Sequence, residues 1–233
     1  MNKIRTIIID DERSSREELK RALKKYVDIE VIGEAQHATE AKEQIEAKHP
    51  DLIFLDIHMP EQSGFELLES LDVVPAVIFT TAFDQYAVQA FEINALDYLM
   101  KPIREERFDK AIERIRTKQA DPPQQLFIKD GEKCFFVKLQ SISLIESLGN
   151  YSRLYFEGKK AMLKRSLSKW EELLDAAIFF RINRTQLINI HHIREVQSSE
   201  TGRFKINLTT GEWLEVSDRQ SVKFRNLNSN KPK

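Results

Sequence analysis

Disulfide stabilisation is excluded at the outset, because the chain has a single cysteine, Cys134, in 233 residues. Set among apolar neighbours, that thiol reads as core filler. A zinc centre is excluded as well, since His37, His49, His191 and His192 stand at no ligand spacing with cysteines or acids. No apolar run approaches the roughly 18–20 residues that a membrane-spanning helix needs, and the N-terminus lacks a signal-like hydrophobic core. A cytoplasmic protein with no membrane partner is therefore expected.

Net charge is also nearly absent, at −1, but the balance hides an asymmetry. Met1 to Pro123 holds 17 basic and 25 acidic residues, whereas Gln124 to Lys233 holds 19 basic and 12 acidic. An acidic half joined to a basic half points to a metal or phosphate site in the first and a polyanion partner in the second. With 31% charged and 41% hydrophobic residues, the composition suits a globular protein of one or two domains.

The first half alternates strand with helix. Short apolar runs predict strands at Ile4–Asp10, Ile29–Gly33, Asp51–Asp56, Ala76–Thr81 and Ala95–Met100. Helical patterns fall between and after them. One opens with a capping-box pattern at Ser14-Ser15-Arg16-Glu17, one is capped by Thr39 and ends before Pro50, and one follows Gly64. Asp84 caps a fourth, and a fifth runs from Ile103 to about Arg116. Five strands alternating with five helices specify an α/β, doubly wound, five-stranded parallel sheet. Its ligand site lies beyond the carboxyl ends of the strands.

Those ends carry chemistry. Ile7-Ile8-Ile9 runs into Asp10-Asp11-Glu12, the run from Leu52 ends at Asp56, and Leu99-Met100 leads into Lys101-Pro102. Taken alone, Asp56 before Ile57-His58-Met59-Pro60 is equally well a turn-closing carboxylate. Acids from two strands and a lysine from a third suggest one metal-and-phosphate pocket. Asp56 can act as a nucleophile, with the charge that develops on a phosphoryl group compensated nearby by Lys101. A hard cation would take oxygen ligands such as those of Asp11 and Asp56.

On these motifs, which span the whole first half, the segment resembles the receiver domain of two-component response regulators, a flavodoxin-like fold. The resemblance implies that Asp56 is the phosphoacceptor and that Asp11, Asp56 and the backbone carbonyl of His58 ligate Mg²⁺, with Asp10 acting through water. It implies that Thr81 hydrogen-bonds a phosphoryl oxygen, that Lys101 pairs with another, and that the Lys101–Pro102 bond is cis. The His58 ring is expected to face solvent. A switch is implied too, in which Thr81 is drawn in and the ring of Tyr98 rotates inward. Unaided by the resemblance, Tyr98 reads as readily as a half-buried strand aromatic. The implied dimerisation surface comprises the helix over Asp84–Phe91, the fifth strand and the last helix.

Gln119 to Gln125, with Pro122-Pro123, breaks the helical pattern and reads as a short semi-rigid spacer. The expected division is 1–118, a linker over 119–125, and a second domain over 126–230. There the pattern shifts to short strands with turns at Asp130-Gly131, Gly149-Asn150 and Glu157-Gly158, one helix opening at Ser166 or Ser168, and a last helix capped by Asp218. This is mainly antiparallel β with no helix-turn-helix. A basic β module grips DNA through loops at strand ends, and three loops qualify: Gly149–Arg153, Arg181–Thr185 and Ser217–Gln220. Any one of their arginines alone reads more readily as a solvated loop residue.

The order and spacing of Ile145–Leu154, Phe180–Asn189 and Leu214–Arg219 resemble the LytTR DNA-binding domain. The resemblance implies contacts to successive major grooves from Ser152, Arg184 and Arg219. Tyr151, Arg153 and Asn183 are candidates within the same loops, and Lys164 and Arg165 are candidates for phosphate contacts; Tyr151 is open to a packing role. Asn183 stands where the family commonly has His, and Thr185-Gln186 where it has Ser-Tyr or Ser-Phe.

Together the two resemblances imply a response regulator that is not an enzyme beyond its own phosphorylation and dephosphorylation. A sensor histidine kinase would phosphorylate Asp56, and a homodimer would bind double-stranded promoter DNA. Two rivals are a phosphorelay intermediate whose β domain docks a protein, and a hydrolase built on Asp10, Asp11 and Asp56. The latter lacks an evident general acid.

Overall fold

The computed structural model describes residues 3–82, 95–118, 124–131, 133–198 and 202–229. The helix expected after Asp84 and residues 119–123 of the expected linker lie outside them. The chain divides into two compact units, Met1–Lys138 and Leu139–Lys233. Among the described residues no helix is long and apolar enough to cross a membrane.

In the first unit, β1 (Ile4–Ile9), β2 (Ile29–Ala35), β3 (Leu52–Asp56), β4 (Ala76–Thr81) and β5 (Asp97–Met100) form one parallel sheet in the order β2-β1-β3-β4-β5. Parallel strands are covered on both faces, and alternate residues serve opposite faces. Ile7, Ile9, Ile53, Leu55, Val77 and Phe79 join one cluster with residues of α2 (Ala38–Lys48) and α3 (Gly64–Ser70). Ile8, Leu52, Phe54, Ile78 and Leu99 join the other with residues of α1 (Arg13–Leu23) and α4 (Glu105–Lys118). Ile9 pairs with Leu55, Asp56 with Thr80 and Thr81 with Met100. That register brings Asp10, Asp56, Thr81 and Lys101 to one edge of the sheet.

A hairpin of β6 (Gln125–Asp130) and β7 (Lys133–Lys138) completes this unit. It turns at Gly131, whose φ of +64° favours glycine. The segment expected to open the second domain thus packs with the first unit, where Phe127 and Phe136 enter the same cluster as Phe79.

In the second unit, β8 (Ile142–Leu148), β9 (Tyr151–Phe156), β10 (Lys159–Leu163), β11 (Phe179–Arg181) and β12 (Gln186–Asn189) form an antiparallel sheet in the order β10-β9-β8-β12-β11. A second sheet comprises β13 (Ile193–Ser198), β14 (Phe204–Leu208) and β15 (Trp213–Glu215). Leu144, Phe180 and Ile188 of the first sheet share a core with Ile206, Leu208 and Leu214 of the second. Helix α5 (Leu167–Leu173) is capped by Ser166, and α6 (Asp218–Ser229) adds Phe224 to that core.

Several helix starts differ from expectation: Asp218 is the first residue of α6 rather than its cap, α4 begins at Glu105 rather than Ile103, and α2 and α1 are capped differently. Helix α2 is capped by His37, whose Nδ1 accepts from the Glu40 amide at 3.2 Å, rather than by Thr39. The helix begins at Ala38, so Thr39 already lies inside it. Helix α1 begins after Glu12 without a side-chain cap, and the Ser15 hydroxyl donates to Glu12 instead of closing a capping box.

Helix α3 does form a capping box, between Ser63 and Glu66, and it starts against the end of β3. A Cβ on Gly64 would lie 2.5 Å from the Asp56 carbonyl oxygen and 3.2 Å from Ile57 Cα, both backbone atoms. Glycine is thus required by close approach, beside the residue that carries the site. Gly64→Ala is expected to destabilise the protein by about 1–3 kcal/mol through overpacking. The midpoint of urea unfolding checks this, and an unchanged midpoint would show that the β3–α3 junction relaxes freely.

Candidate functional sites

The pocket of the first unit is built from strand ends. Asp10, just past β1, is fully buried, and its Oδ1 accepts from the Glu12 amide at 3.0 Å. Asp56, the last residue of β3, is buried and accepts from the His58 amide at 3.0 Å. Lys101, just past β5, places Nζ 2.8 Å from Asp10 Oδ2 and 2.7 Å from Asp56 Oδ2. Asp11 is exposed, and one oxygen from each of Asp10, Asp11 and Asp56 lies within 4.8 Å of the others.

Burial pushes the Asp10 carboxyl above its ordinary value, outweighing the pairing with Lys101 that would lower it. Burial acting on Lys101 would lower its pKa, but hydrogen bonds to Asp10 and Asp56 dominate and raise it. The ammonium is therefore held in its charged form between two carboxylates. Thr81 is fully buried at the end of β4, His58 is exposed, and the Lys101–Pro102 bond is cis. Tyr98 is buried among the residues of the Phe79 cluster.

Two features of this unit, one at the pocket and one at the other end of β5, were not legible as motifs. Arg16 Nη1 donates to the Asp10 carbonyl at 2.7 Å and the Asp11 carbonyl at 3.3 Å, while its Nε pairs with Glu34 at 3.2 Å. It fixes the loop that presents the acids, and its only sequence signal is a position in the first turns of α1. Asp97, buried at the start of β5, is bound by Arg107 and by Arg114 at 3.1 Å. Arg107 also donates to the Tyr98 carbonyl at 3.0 Å, which ties β5 to α4.

In the second unit, Arg184 and Arg219 are exposed and line one open groove with Asn183, Thr185, Ser217 and Lys223. Tyr151 and Lys164 are exposed as well. Other candidates are engaged within the unit. Ser152 lies in β9 rather than in the expected loop, which is confined to the Gly149-Asn150 turn; it is fully buried and its hydroxyl donates to the Arg165 carbonyl, so it braces the strand end rather than facing solvent. The Arg165 guanidinium lies 4.7 Å from the Trp170 ring centroid, a cation–π contact. Arg153, half-buried on β9, hydrogen-bonds Tyr155, which raises its pKa, and Tyr155 in turn donates to Glu146.

Asn183 is the hub of its loop. Its Oδ1 accepts from the Thr185 amide at 2.9 Å and the Thr185 hydroxyl at 3.1 Å. Its Nδ2 donates to Gln186 Oε1 at 2.8 Å and the Glu215 carbonyl at 3.2 Å, and Gln186 donates onward to Glu146 at 2.8 Å. Arg181 closes the same loop, donating to the carbonyls of Asn183 at 3.1 Å and Arg184 at 2.9 Å. The side chain of Asn183 is thus committed to holding Arg184 in place. Asn183→Ala in the full-length protein is expected to lower stability by about 0.5–1.5 kcal/mol, because it removes the hydrogen bonds that order the loop while most of their partners remain open to water. Unaltered chemical unfolding with a collapse of DNA affinity would instead make Asn183 a direct contact.

Both halves of the chain resemble known domains. A model of the response regulator receiver domain matches residues 6–113, and one of the LytTr DNA-binding domain matches residues 132–229. The chain is 32% identical over 231 residues to the transcriptional regulatory protein LytR of Staphylococcus aureus strain MW2, covering 91% of this chain and 94% of that protein. It is 33% identical over 232 residues to the transcriptional regulatory protein BtsR of Salmonella typhi, covering 93% and 95%. With a carboxylate pocket at the edge of a parallel sheet and an arginine-lined groove in a separate β unit, the chain belongs to the family of transcriptional response regulators that join a receiver domain to a LytTR DNA-binding domain.

Proposed function

We propose that a sensor histidine kinase phosphorylates Asp56, that the phosphorylated protein forms a homodimer, and that residues 126–230 of each copy bind double-stranded promoter DNA to alter transcription. The receiver is then residues 1–118, and residues 119–125 set the spacing between paired binding domains. The observation that carries this reading is Lys101 Nζ, 2.7 Å from Asp56 and 2.8 Å from Asp10, at the mouth of a three-carboxylate cluster.

In the transfer, an Asp56 carboxylate oxygen attacks phosphorus while the P–N bond of the kinase's phosphohistidine breaks. The product is an acyl phosphate on Asp56 and a free imidazole on the kinase. Lys101 supplies positive charge to the phosphoryl oxygens, and Thr81 at the end of β4 is placed to donate to one of them. The donor set is all oxygen, which fits Mg²⁺: Asp11, Asp56 and the His58 carbonyl would hold it, with Asp10 acting through water. When bound, the ion supplies charge neutralisation for the transferring group. Apart from this transfer and the later hydrolysis, the protein performs no catalysis. A cytoplasmic site of action accords with a promoter as partner.

In the second unit the exposed side chains Arg184, Arg219, Lys164 and Tyr151 are the proposed DNA contacts. Arginine reads guanine O6 and N7 or clamps phosphate.

Incubation with acetyl phosphate and Mg²⁺ is expected to modify the wild-type protein and leave Asp56→Ala unmodified, as read by intact mass. EDTA is expected to abolish the modification. Phosphorylation is expected to tighten protection of DNA upstream of the protein's own gene, and Asp56→Ala to lose that tightening. Equal protection in every state would overturn the switch while leaving DNA binding in place. Absence of protection even at low salt would favour the phosphorelay alternative.

Arg184→Ala and Arg219→Ala are each expected to cost about 1–3 kcal/mol of affinity and to relax preference at one base position. Binding titrations over a salt series check this. A uniform loss on all sequences, with the salt slope lower by about 1, would assign the arginine to phosphate instead.

A further inference from the structure

The β6–β7 hairpin is docked on the receiver by a mixed apolar and polar contact. Phe127 and Phe136 are 3% and 7% exposed, so both rings are buried. The Phe127 ring stacks on Phe65 of α3 with centroids 5.9 Å apart, and Phe136 meets Phe79 of β4 at 6.4 Å. The four rings form a closed circuit, since Phe65 and Phe79 are 5.2 Å apart and so are Phe127 and Phe136. At the hairpin's start, the Val74 amide donates to the Gln125 carbonyl at 2.8 Å and Gln125 Nε2 donates to the Pro75 carbonyl at 2.8 Å. Lys129 pairs with Glu69 of α3 at 3.5 Å.

The placement of Phe79 gives this contact a meaning. It lies two residues before Thr81 on β4, and its register partner on β5 is Tyr98. Phe79 and Tyr98 share one core cluster with Phe127 and Phe136. Leu139, the first residue of the second unit, follows Lys138 of β7 directly.

We propose that the α3–β4 face of the receiver is a docking surface for the β6–β7 hairpin, and that this contact transmits occupancy of the Asp56 pocket to the segment entering the DNA-binding unit. A shift of Thr81 toward a group on Asp56 moves β4 and the Phe79 ring with it. Phe136 rests on that ring, so the hairpin senses the shift without a second copy of the chain. This route acts within one chain, in addition to dimerisation, and it rests on the reading of Asp56 as phosphoacceptor.

The test is amide hydrogen exchange on the full-length protein, with Mg²⁺ alone and with Mg²⁺ plus beryllium trifluoride as a mimic of the phosphoryl group. Peptides covering 97–101 and those covering 125–138 are both expected to change their exchange rates, the latter by about fivefold or more, the lower end of ordinary coupling between sites. A change at 97–101 with none at 125–138 would overturn the coupling and leave the Asp56 reading intact. No change at either segment would overturn the phosphoacceptor reading and the coupling with it.

The reciprocal measurement uses Phe136→Ala. Weaker docking is expected to shift the beryllium trifluoride concentration at half-effect for residues 97–101 by about fivefold or more. Phe136→Leu, which keeps an apolar filler, is expected to shift it less. Equal half-effect concentrations in wild type and a folded Phe136→Ala would overturn the proposal. Should Phe136→Ala fail to fold, the wild-type exchange comparison decides alone.

Discussion

Like charges brought together in a protein interior repel unless something of opposite sign stands among them, and Lys101 is that group here. At an effective dielectric near 20, two unit charges about 4 Å apart interact by roughly 4 kcal/mol. Asp10 and Asp56 are both buried and both lie within 2.8 Å of the Lys101 ammonium, so one cation offsets two such carboxylates. This demands that β1, β3 and β5 end level, which a parallel sheet with this register supplies. Arg16 and Gly64 serve the same demand from outside the pocket. Arg16 holds the carbonyls of the acid-bearing loop, and Gly64 lets α3 begin in contact with the end of β3. An added phosphoryl group brings roughly −1.5 to −2 of charge to this balance. On the proposed phosphorylation of Asp56, a lysine already shared between two acids gains a third partner.

The basic unit solves a different problem. Its exposed cations must be held in fixed positions without being neutralised by their own neighbours. Arg184 and Arg219 remain exposed at the groove because the polar work of the loop falls to other side chains. Arg181 is spent on Glu171 and on two loop carbonyls, and Asn183 on Thr185, Gln186 and the Glu215 carbonyl. Fixing a loop before it meets its partner removes part of the ordering cost of binding. The pairing of Asn183 with Gln186 also accounts for two departures from the usual family residues at once: each supplies the other's hydrogen bond.

The limits of what sequence reveals follow the same physics. Strands β1, β3 and β4 are buried on both faces, so their apolar runs could be read directly, and the acids at their ends stood out against them. β13 escaped notice because Arg194–Ser198 are exposed and carry no alternation. Helix starts were displaced where several polar residues in succession could cap, as around His37 and Thr39, where the His37 ring takes the Glu40 amide and the helix starts at Ala38. Ser152 was read as a loop residue but belongs to β9, and its inward orientation is fixed by the Arg165 carbonyl thirteen residues away. Contacts such as Asn183 with Glu215, or Phe79 with Phe136, join residues 32 and 57 positions apart along the numbering, and no local pattern encodes them.

The size of the hairpin contact bears on what it can do. Aromatic pairs contribute about 0.5–1.5 kcal/mol each beyond the area they bury, so Phe65–Phe127 and Phe79–Phe136 together add roughly 1–3 kcal/mol. The exposed Lys129–Glu69 pair adds little, since surface ion pairs are worth about 0–1 kcal/mol. Against these gains stands the entropy of holding the hairpin in one orientation. The ring terms alone are of the size typical of coupling between sites, about 1–3 kcal/mol. A much larger interface would lock the hairpin to the receiver whatever happened at Asp56, and a much smaller one would leave it unpopulated. The four-ring contact rests on the strand pair that carries Thr81 and Tyr98, which is the physical link the proposed coupling uses.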